Sequence, residues 1–468
     1  MRLLQGILQC VIATTILASP ASHLHPVSFN ATFTSNEECV NGDQGRDISD
    51  IVWGCLATIF ACTWISVHPN IPALDDKWVI INRRRFKLMF WAIVAPEITV
   101  FWAMRQWFGA RRIAGSYIGD KYEWGITHGY FVQMGGFMLV EDSQARTLSF
   151  SDMEQLERAG RIDWPTITAE EISDRSKSDP LAKGFVLIQT SWFIIQCLGR
   201  YFNKCTMLTE LELVTLAFAV LNGIMYFFWW NKPLDVRCPI LIRLKQDWAA
   251  IDGLHTARQG SEVPTIAPLE SNPGIHVDAR NKNSRIRSLF KTIFYRPAIY
   301  ILRPFHDMTE SQASITIPPL AQRTPTFYAL NTTPQAYDIS RMSGLFIAII
   351  FGIIHCGAWW FHFPTNAEKL LWRTAATVIT VVPLLYLLFF GVAYSFDMST
   401  EEDELPQLFI MHKRFSYIFP AVITLCLVGI LLYIPARLTL LVQAVIALRD
   451  LVPEQQVSIT WTTFVPHI

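Results

Sequence analysis

Seven runs of apolar residues punctuate the chain, at about 51–67, 87–107, 185–202, 211–230, 343–361, 371–396 and 417–434. A helix rises about 1.5 Å per residue and the hydrocarbon core of a bilayer is about 30 Å thick, so roughly 20 apolar residues cross it. Each run approaches that length with few polar residues, which predicts a lipid-embedded helix rather than the one-sided helix of a soluble domain. A further apolar stretch, 436–448, follows Pro435, with Arg437 and Arg449 near its ends. It is too short to span, so an interfacial helix is expected there, within a 435–468 tail. The expected fold is an all-α integral membrane bundle of about seven transmembrane helices.

Two polar insertions break the pattern. Residues 108–183, between the second and third runs, contain a strand-like stretch at 130–140 and another at 147–150. Ser151 with Glu154, and Thr168 with Glu171, have the spacing of capping boxes, so a short helix is expected after each. A small α+β lobe follows from these elements. Residues 231–341 are rich in Pro, Ser, Asn and Thr and are expected to be irregular. The exception is an amphipathic helix near 284–296, where Ile286, Leu289, Phe290, Ile293 and Phe294 share one face beside Arg285, Arg287 and Lys291. No internal repeat is visible, which weighs against an inverted-repeat transporter.

Residues 1–21 read as a signal peptide, with Arg2 before an apolar core and Ser19-Pro20-Ala21 as the cleavage site; an uncleaved anchor is the alternative. Either reading places the arm at 22–50 outside the cytosol, on the secretory route or at the plasma membrane. Asn30-Ala31-Thr32 in that arm is a glycosylation sequon. Strict alternation from this start leaves Lys and Arg evenly divided between the two sides, so the positive-inside rule lends no support. It also puts 231–341 outside, although the basic amphipathic helix there suits the anionic cytosolic leaflet. The same alternation puts Cys39 and Cys238 together on the oxidising side, where a disulfide would tie the arm to the bundle; two unpaired thiols are the alternative.

Composition agrees with a membrane protein. Hydrophobic residues make up 51% and charged residues 17%, against about 25% charged in soluble chains. Lys+Arg and Asp+Glu balance at 39 each, so no basic field recruits nucleic acid. The nine cysteines form no CxxC pair, and no nucleotide-binding loop, GxSxG elbow or HExxH helix occurs. Neither metal, cofactor nor catalytic residue is expected; the expected partner is the lipid bilayer.

Ionisable and amide groups at membrane depth are costly, so each is a candidate site. Glu97 is the sharpest, because Pro96 before it removes a backbone hydrogen bond and frees a carbonyl in mid-run. Its carboxyl suits a proton carrier, a cation ligand or a partner for a buried base; a structural carboxyl is the alternative. Gln189, Trp192, Gln196 and Arg200 fall on one helical face that either lines a cavity or bonds neighbouring helices, and Asn222 has the same two readings. Thr209 with Glu210 and Glu212 reads as a helix cap. His355 and His362 lack a third ligand at recognisable spacing. Gly344, Ala348, Gly352 and Cys356 recur every four residues, which predicts a close helix contact.

Four stretches, CLATIFACTWISVHPNIP at 55–72, TELELVTLAFAVLNGIMYFFWWNKPLDV at 209–236, Ala436-Arg437-Leu438 and the Trp461…Pro466-His467-Ile468 ending, resemble a group of fungal multi-pass membrane proteins of unassigned function. The resemblance runs over most of the chain outside the insertions. It implies a fungal source and membrane residence, and it lends no catalytic residue. Three classes follow from the sequence: a receptor or sensor, suggested by an odd span count and an external N-terminus; a transporter or channel using Glu97 with the Gln189/Gln196 face; and, least supported, a membrane enzyme.

Overall fold

The computed structural model describes residues 45–141, 144–176, 180–203, 206–245, 308, 317–318, 320–330, 333–398, 428–429 and 431–458. The signal segment, Asn30, Cys39, the amphipathic helix near 284–296 and most of the run 417–434 lie outside them. Helix α1 (Ile48–Phe60) continues into a π-helical turn, Ala61–Ile65. Then come α2 (Trp78–Val94) and α3 (Pro96–Ala114), followed by the lobe helices α4 (Tyr117–Lys121) and α5 (Ile126–Gln133). Strands β1 (Phe137–Glu141) and β2 (Gln144–Thr147) lead into α6 (Phe150–Arg158) and α7 (Ala169–Asp174). Beyond the lobe run α8 (Pro180–Phe202), α9 (Glu210–Trp229), β3 (Ile240–Arg243), α10 (Pro334–Cys356), α11 (Asn366–Met398), α12 (Leu431–Arg449) and α13 (Pro453–Gln456).

Among the described residues, five helices are long and apolar enough to cross a membrane: Ile48–Ile65, Glu210–Trp229, Pro334–Trp360, Asn366–Gly391 and Leu431–Arg449. Their outward faces carry large exposed apolar side chains such as Trp53, Phe227, Phe346, Ile353, Leu388 and Val445. So much apolar surface suits lipid contact. Helix α8 covers the third apolar run as a single helix.

The run 87–107 is not one straight span. It breaks at Ala95 into α2 and α3, which are bent by 114°. Pro96 is the cause: it has no N–H to give the turn before it, and it bars Ala95 from helical geometry, leaving that residue at φ −144°, ψ 67°. The same proline then fits the first turn of α3. The stretch after Pro435 is not a separate interfacial helix either. It is the body of α12, which runs unbroken from Leu431 through Pro435 and Arg437 to Arg449. Pro435 lies within this helix, where it withholds one backbone hydrogen bond from the turn before it.

The lobe departs from the sequence reading in three places. Residues 126–133 are helical, and the strand begins only at Phe137, after Gly135 ends α5 at φ 86°. The second strand is 144–147, not 147–150. The cap of α6 is Ser149 with Asp152, which exchange hydrogen bonds at 3.1 and 3.0 Å, rather than Ser151 with Glu154. The Thr168–Glu171 box forms as expected, at 3.2 and 2.9 Å. The second insertion also supplies a strand: β3 pairs in parallel with β1, Phe137 opposite Ile240, while β2 flanks β1 antiparallel. The lobe is therefore built from both insertions around its own core, which includes Trp124, Phe131, Phe137, Trp164 and Ile172.

The bundle has a second core that includes Trp102, Val214, Phe218, Trp229, Phe351 and Trp372. The small-residue stripe on α10 works as expected, but against two neighbours. A Cβ on Gly352 would lie 2.4 Å from Thr380 Oγ1 on α11, and one on Gly344 would lie 3.2 Å from Phe101 on α3.

Candidate functional site

The break at Ala95 leaves two helix ends inside the bundle, and α12 holds both. Glu97 sits in the first turn of α3 and is 5% exposed. Tyr433 on α12 donates its hydroxyl to Glu97 Oε1 at 2.6 Å. The other oxygen, Oε2, is buried without a hydrogen-bond partner among the described residues. One turn further along α12, Arg437 donates from Nε to the carbonyl of Val94, the last residue of α2, at 3.3 Å. Its guanidinium lies 3.8 Å from the Phe351 ring centroid. The arrangement follows the helix dipoles: the carbonyl end of α2 meets a cation, and the amide end of α3 carries a carboxyl group.

Beside this break lies a cavity of about 310 Å3, walled by Glu97 and Phe101 of α3, Gly344 and Ala348 of α10, Pro383 of α11 and Tyr433 of α12. Arg341 closes part of the wall, paired with Asp338 at 2.8 Å and stacked 3.9 Å from the Phe390 centroid. Helix α10 runs antiparallel to α3: Arg105 lies 5.6 Å from the Tyr337 ring, and Phe101 faces Gly344. Glu97 and Arg341 therefore mark opposite ends of the cavity, about 10 Å apart along α10 by helical rise. What lies between is mostly apolar. A carboxyl group with an acceptor unpartnered among the described residues favours, in such surroundings, an organic cation or a strong hydrogen-bond donor, because little water screens the contact.

A second buried knot joins the bundle to the lobe. Lys232 is fully buried; its Nζ donates to the His68 carbonyl at 2.6 Å and to Gln106 Oε1 at 2.8 Å, between the rings of Trp102 and Trp229. Burial pushes its amine well below the ordinary lysine range. Gln106 in turn donates to the Tyr328 carbonyl at 2.8 Å. This knot is filled by its own side chains, with His68 Nε2 left without a hydrogen-bond partner among the described residues.

The other residues singled out from sequence do not join Glu97. Gln189 and Gln196 are half-buried on the flank of α8, whose buried side is Val186, Thr190, Phe193, Cys197 and Arg200. Neither glutamine lines the cavity. Asn222 is buried on α9 away from the cavity, with both ends of its amide lacking a partner among the described residues. Glu212 caps α9 with Thr209 as expected, and it also pairs with Arg46 and, at 3.6 Å, with Arg200. His355 is buried with Nδ1 2.8 Å from the Phe351 carbonyl, whereas His362 lies on the surface near Asp450. Among the described residues no group of three His, Cys, Asp or Glu is placed to hold a metal ion. Cys238 is exposed and unpaired among them.

Tyr433 and Arg437 are the site residues that the sequence reading missed. Their signal was faint: a tyrosine and an arginine four residues apart in an otherwise apolar stretch, where an arginine at membrane depth calls for a partner.

The sequence matches the family model described as Family of unknown function (DUF8562) over residues 16–257 and 331–468. Those segments contain Glu97, Tyr433 and Arg437 and omit most of the second insertion. No curated protein and no solved structure matches the chain.

Proposed function

We propose a function from geometry, because the chain belongs to this family and its function is unknown: it binds a small, mostly apolar molecule with one cationic or hydrogen-donating group, held at Glu97 inside the bundle as a transporter holds its substrate. The carrying observation is Glu97 itself, which lines a 310 Å3 cavity at a helix break and whose Oε2 is buried without a hydrogen-bond partner among the described residues. Broken helices whose ends meet deep in a bundle are a recurrent way for transporters to present charge to a substrate. Here the helix end bears a carboxyl group, so the complement is positive or donating. The volume suits a ligand at the small end of the range for binding pockets. A receptor or sensor reading draws on seven spans and an external N-terminus; among the described residues five helices are long and apolar enough to cross a membrane, or six with the bent pair counted as one.

The test is thermal unfolding of the detergent-purified chain against matched series of primary alkylamines, alcohols and carboxylic acids of equal chain length. Amines are expected to raise the unfolding temperature saturably and acids to leave it unchanged, with the amine response lost in Glu97→Gln. An equal response to acids, or an undiminished amine response in Glu97→Gln, refutes the assignment.

A further inference from the structure

Gly45, just before α1, bridges to Val457, just after α13, and Arg46 donates to the Gln455 carbonyl at 2.8 Å. Both ends of the described chain therefore lie on one face of the bundle, which requires an even number of crossings between them. The end of α8 reaches that face through Arg200 and the Val457 carbonyl (2.9 Å), the approach to α9 through Met207 and Glu454, and the start of α11 through Glu368 and Arg449.

The lobe marks the opposite face. His68 after α1, Gln106 late in α3 and Lys232 after α9 meet there in one knot, and Tyr337 at the start of α10 lies beside Arg105. The approach to α2 is on this face too: Ile71 donates to the Met134 carbonyl at 2.9 Å, and Asp76 pairs with Arg323 at 2.7 Å. Helix α3 ends in the lobe. Between these ends the tip at Val94–Glu97 touches Tyr433 and Arg437, and Arg437 lies against Phe351, well inside the span of α10. The α2–α3 pair thus enters from the lobe face and returns to it. With α3 upright against α10, a bend of 114° lays α2 obliquely in the lobe-side leaflet. Over its length of about 25 Å it descends only about 10 Å.

The outward face of this shallow helix carries Val79, Arg83, Phe86 and Phe90 at helical spacing, with Lys77 and Trp78 at its start, all exposed. Arg84 and Arg85 turn inward to Asp76 and Asp235, at 3.8 and 3.5 Å. Neither Lys77 nor Arg83 has an acidic partner among the described residues. Aromatic and aliphatic side chains beside unpaired cations, at headgroup depth, are the complement of an anionic lipid surface.

We propose that α2 and α3 form a re-entrant hairpin, and that the outer face of α2 seats anionic phospholipid headgroups of the lobe-side leaflet. The crossings are then α1, α8, α9, α10, α11 and α12, an even set. The lobe stands on the cytosolic side, where such lipids are concentrated. Cys238 and Asp47, at the start of α1, then lie on opposite sides of the membrane.

The test uses the full chain in nanodiscs of phosphatidylcholine with and without phosphatidylserine, with bound lipid measured by mass spectrometry. Wild type is expected to retain phosphatidylserine selectively, and Lys77→Gln/Arg83→Gln to bind it about thirtyfold more weakly. Arg373→Gln, on the other face, is expected to match wild type. Absence of selectivity in wild type, or undiminished selectivity in the double variant, overturns the lipid site. In sealed vesicles a membrane-impermeant maleimide is expected to reach Cys238 and the cysteine of Asp47→Cys from opposite sides, each in a background without the other cysteines. Labelling from the same side overturns the hairpin.

Discussion

Replacing Tyr433 by Phe deletes one hydroxyl and leaves the ring in place. The lost bond, 2.6 Å to Glu97 Oε1, is the hydrogen bond that links α12 to the carboxyl group. Oε2 already lacks a partner, so the variant leaves a carboxyl group that is 5% exposed with both oxygens unbonded. A hydrogen bond to a charged group contributes about 1.5–3 kcal/mol, and one to a neutral amide about 0.5–1.5 kcal/mol. Tyr433→Phe is therefore expected to cost about 2 kcal/mol in the wild-type background and about 1 kcal/mol less in Glu97→Gln. The assay is reversible unfolding in mixed micelles of the wild type, both single variants and the double variant, read as a coupling energy. Distant, independent sites add within about 0.5 kcal/mol. Additivity within that margin means that the hydroxyl and the carboxyl group do not meet, and the whole account of the site falls with it.

Other perturbations probe other parts of the molecule. Arg437→Met abandons the Val94 carbonyl and is expected to cost about 1–3 kcal/mol in the same unfolding assay; Arg437→Lys is expected to recover little, because it cannot lie flat on Phe351. Gly129→Ala places a Cβ 2.4 Å from the Ala110 carbonyl oxygen and 2.7 Å from its Cα, both backbone, so about 3 kcal/mol of lobe stability is expected to go. Near-ultraviolet circular dichroism of the lobe tryptophans reads that loss, and Gly125→Ala, with open space around it, is expected to be nearly silent. In the lobe, hydrogen bonds from Lys121 and then Tyr122 hold the Glu157 carboxyl below its usual range, while the bond to Glu157 and then the neighbouring Tyr122 raise the Lys121 amine. The carboxylate's contribution is present above the free glutamate pKa and is lost as pH falls through the lower folded value. The amine's contribution is present below the free lysine pKa and is lost as pH rises through the higher folded value. Lobe stability is thus expected to be insensitive to this pair from about pH 5 to 10 and to decline outside that window. Lys121→Met is expected to remove this pair's part of both declines.

What could be read from sequence divides along the distance over which each rule acts. Pro96 disturbs its helix by a steric rule spanning five residues, so a local fault and the candidacy of Glu97 were visible in the chain, but the 114° bend between α2 and α3 was not. Its partner stands 336 positions away in sequence, and nothing local in 430–440 announced that Tyr433 points at a carboxyl group. The Thr168 cap was readable because Glu completes the usual box, whereas at Ser149 an aspartate does the same work and the neighbouring Ser151 competed for the assignment. Residues 130–132, Tyr-Phe-Val, favour a strand by local preference. Packing overrides it: Gly129 lets α5 sit directly on Ala110, and Tyr130 reaches the Phe228 carbonyl. β3 was hidden for the complementary reason, since four residues in a polar insertion become a strand only through β1, about a hundred positions earlier.

The position of both clamp residues on one turn of α12 has a thermodynamic consequence. Tyr433 touches the start of α3 and Arg437 the end of α2, so α12 cannot shift or rotate by a fraction of a turn without releasing both ends of the break together. Whatever occupies the vacant oxygen of Glu97 competes for, or reinforces, the charge that Tyr433 holds. Ligand binding and α12 position are then linked, and linkage is reciprocal: if a bound amine weakens the Tyr433 contact by some factor, then Tyr433→Phe strengthens amine binding by that factor. A cation that instead tightens the carboxylate's hold on the hydroxyl gives the opposite sign. Amine affinity measured in wild type and in Tyr433→Phe therefore reports whether occupancy loosens the clamp or locks it; equal affinities would uncouple the site from the helix that closes it.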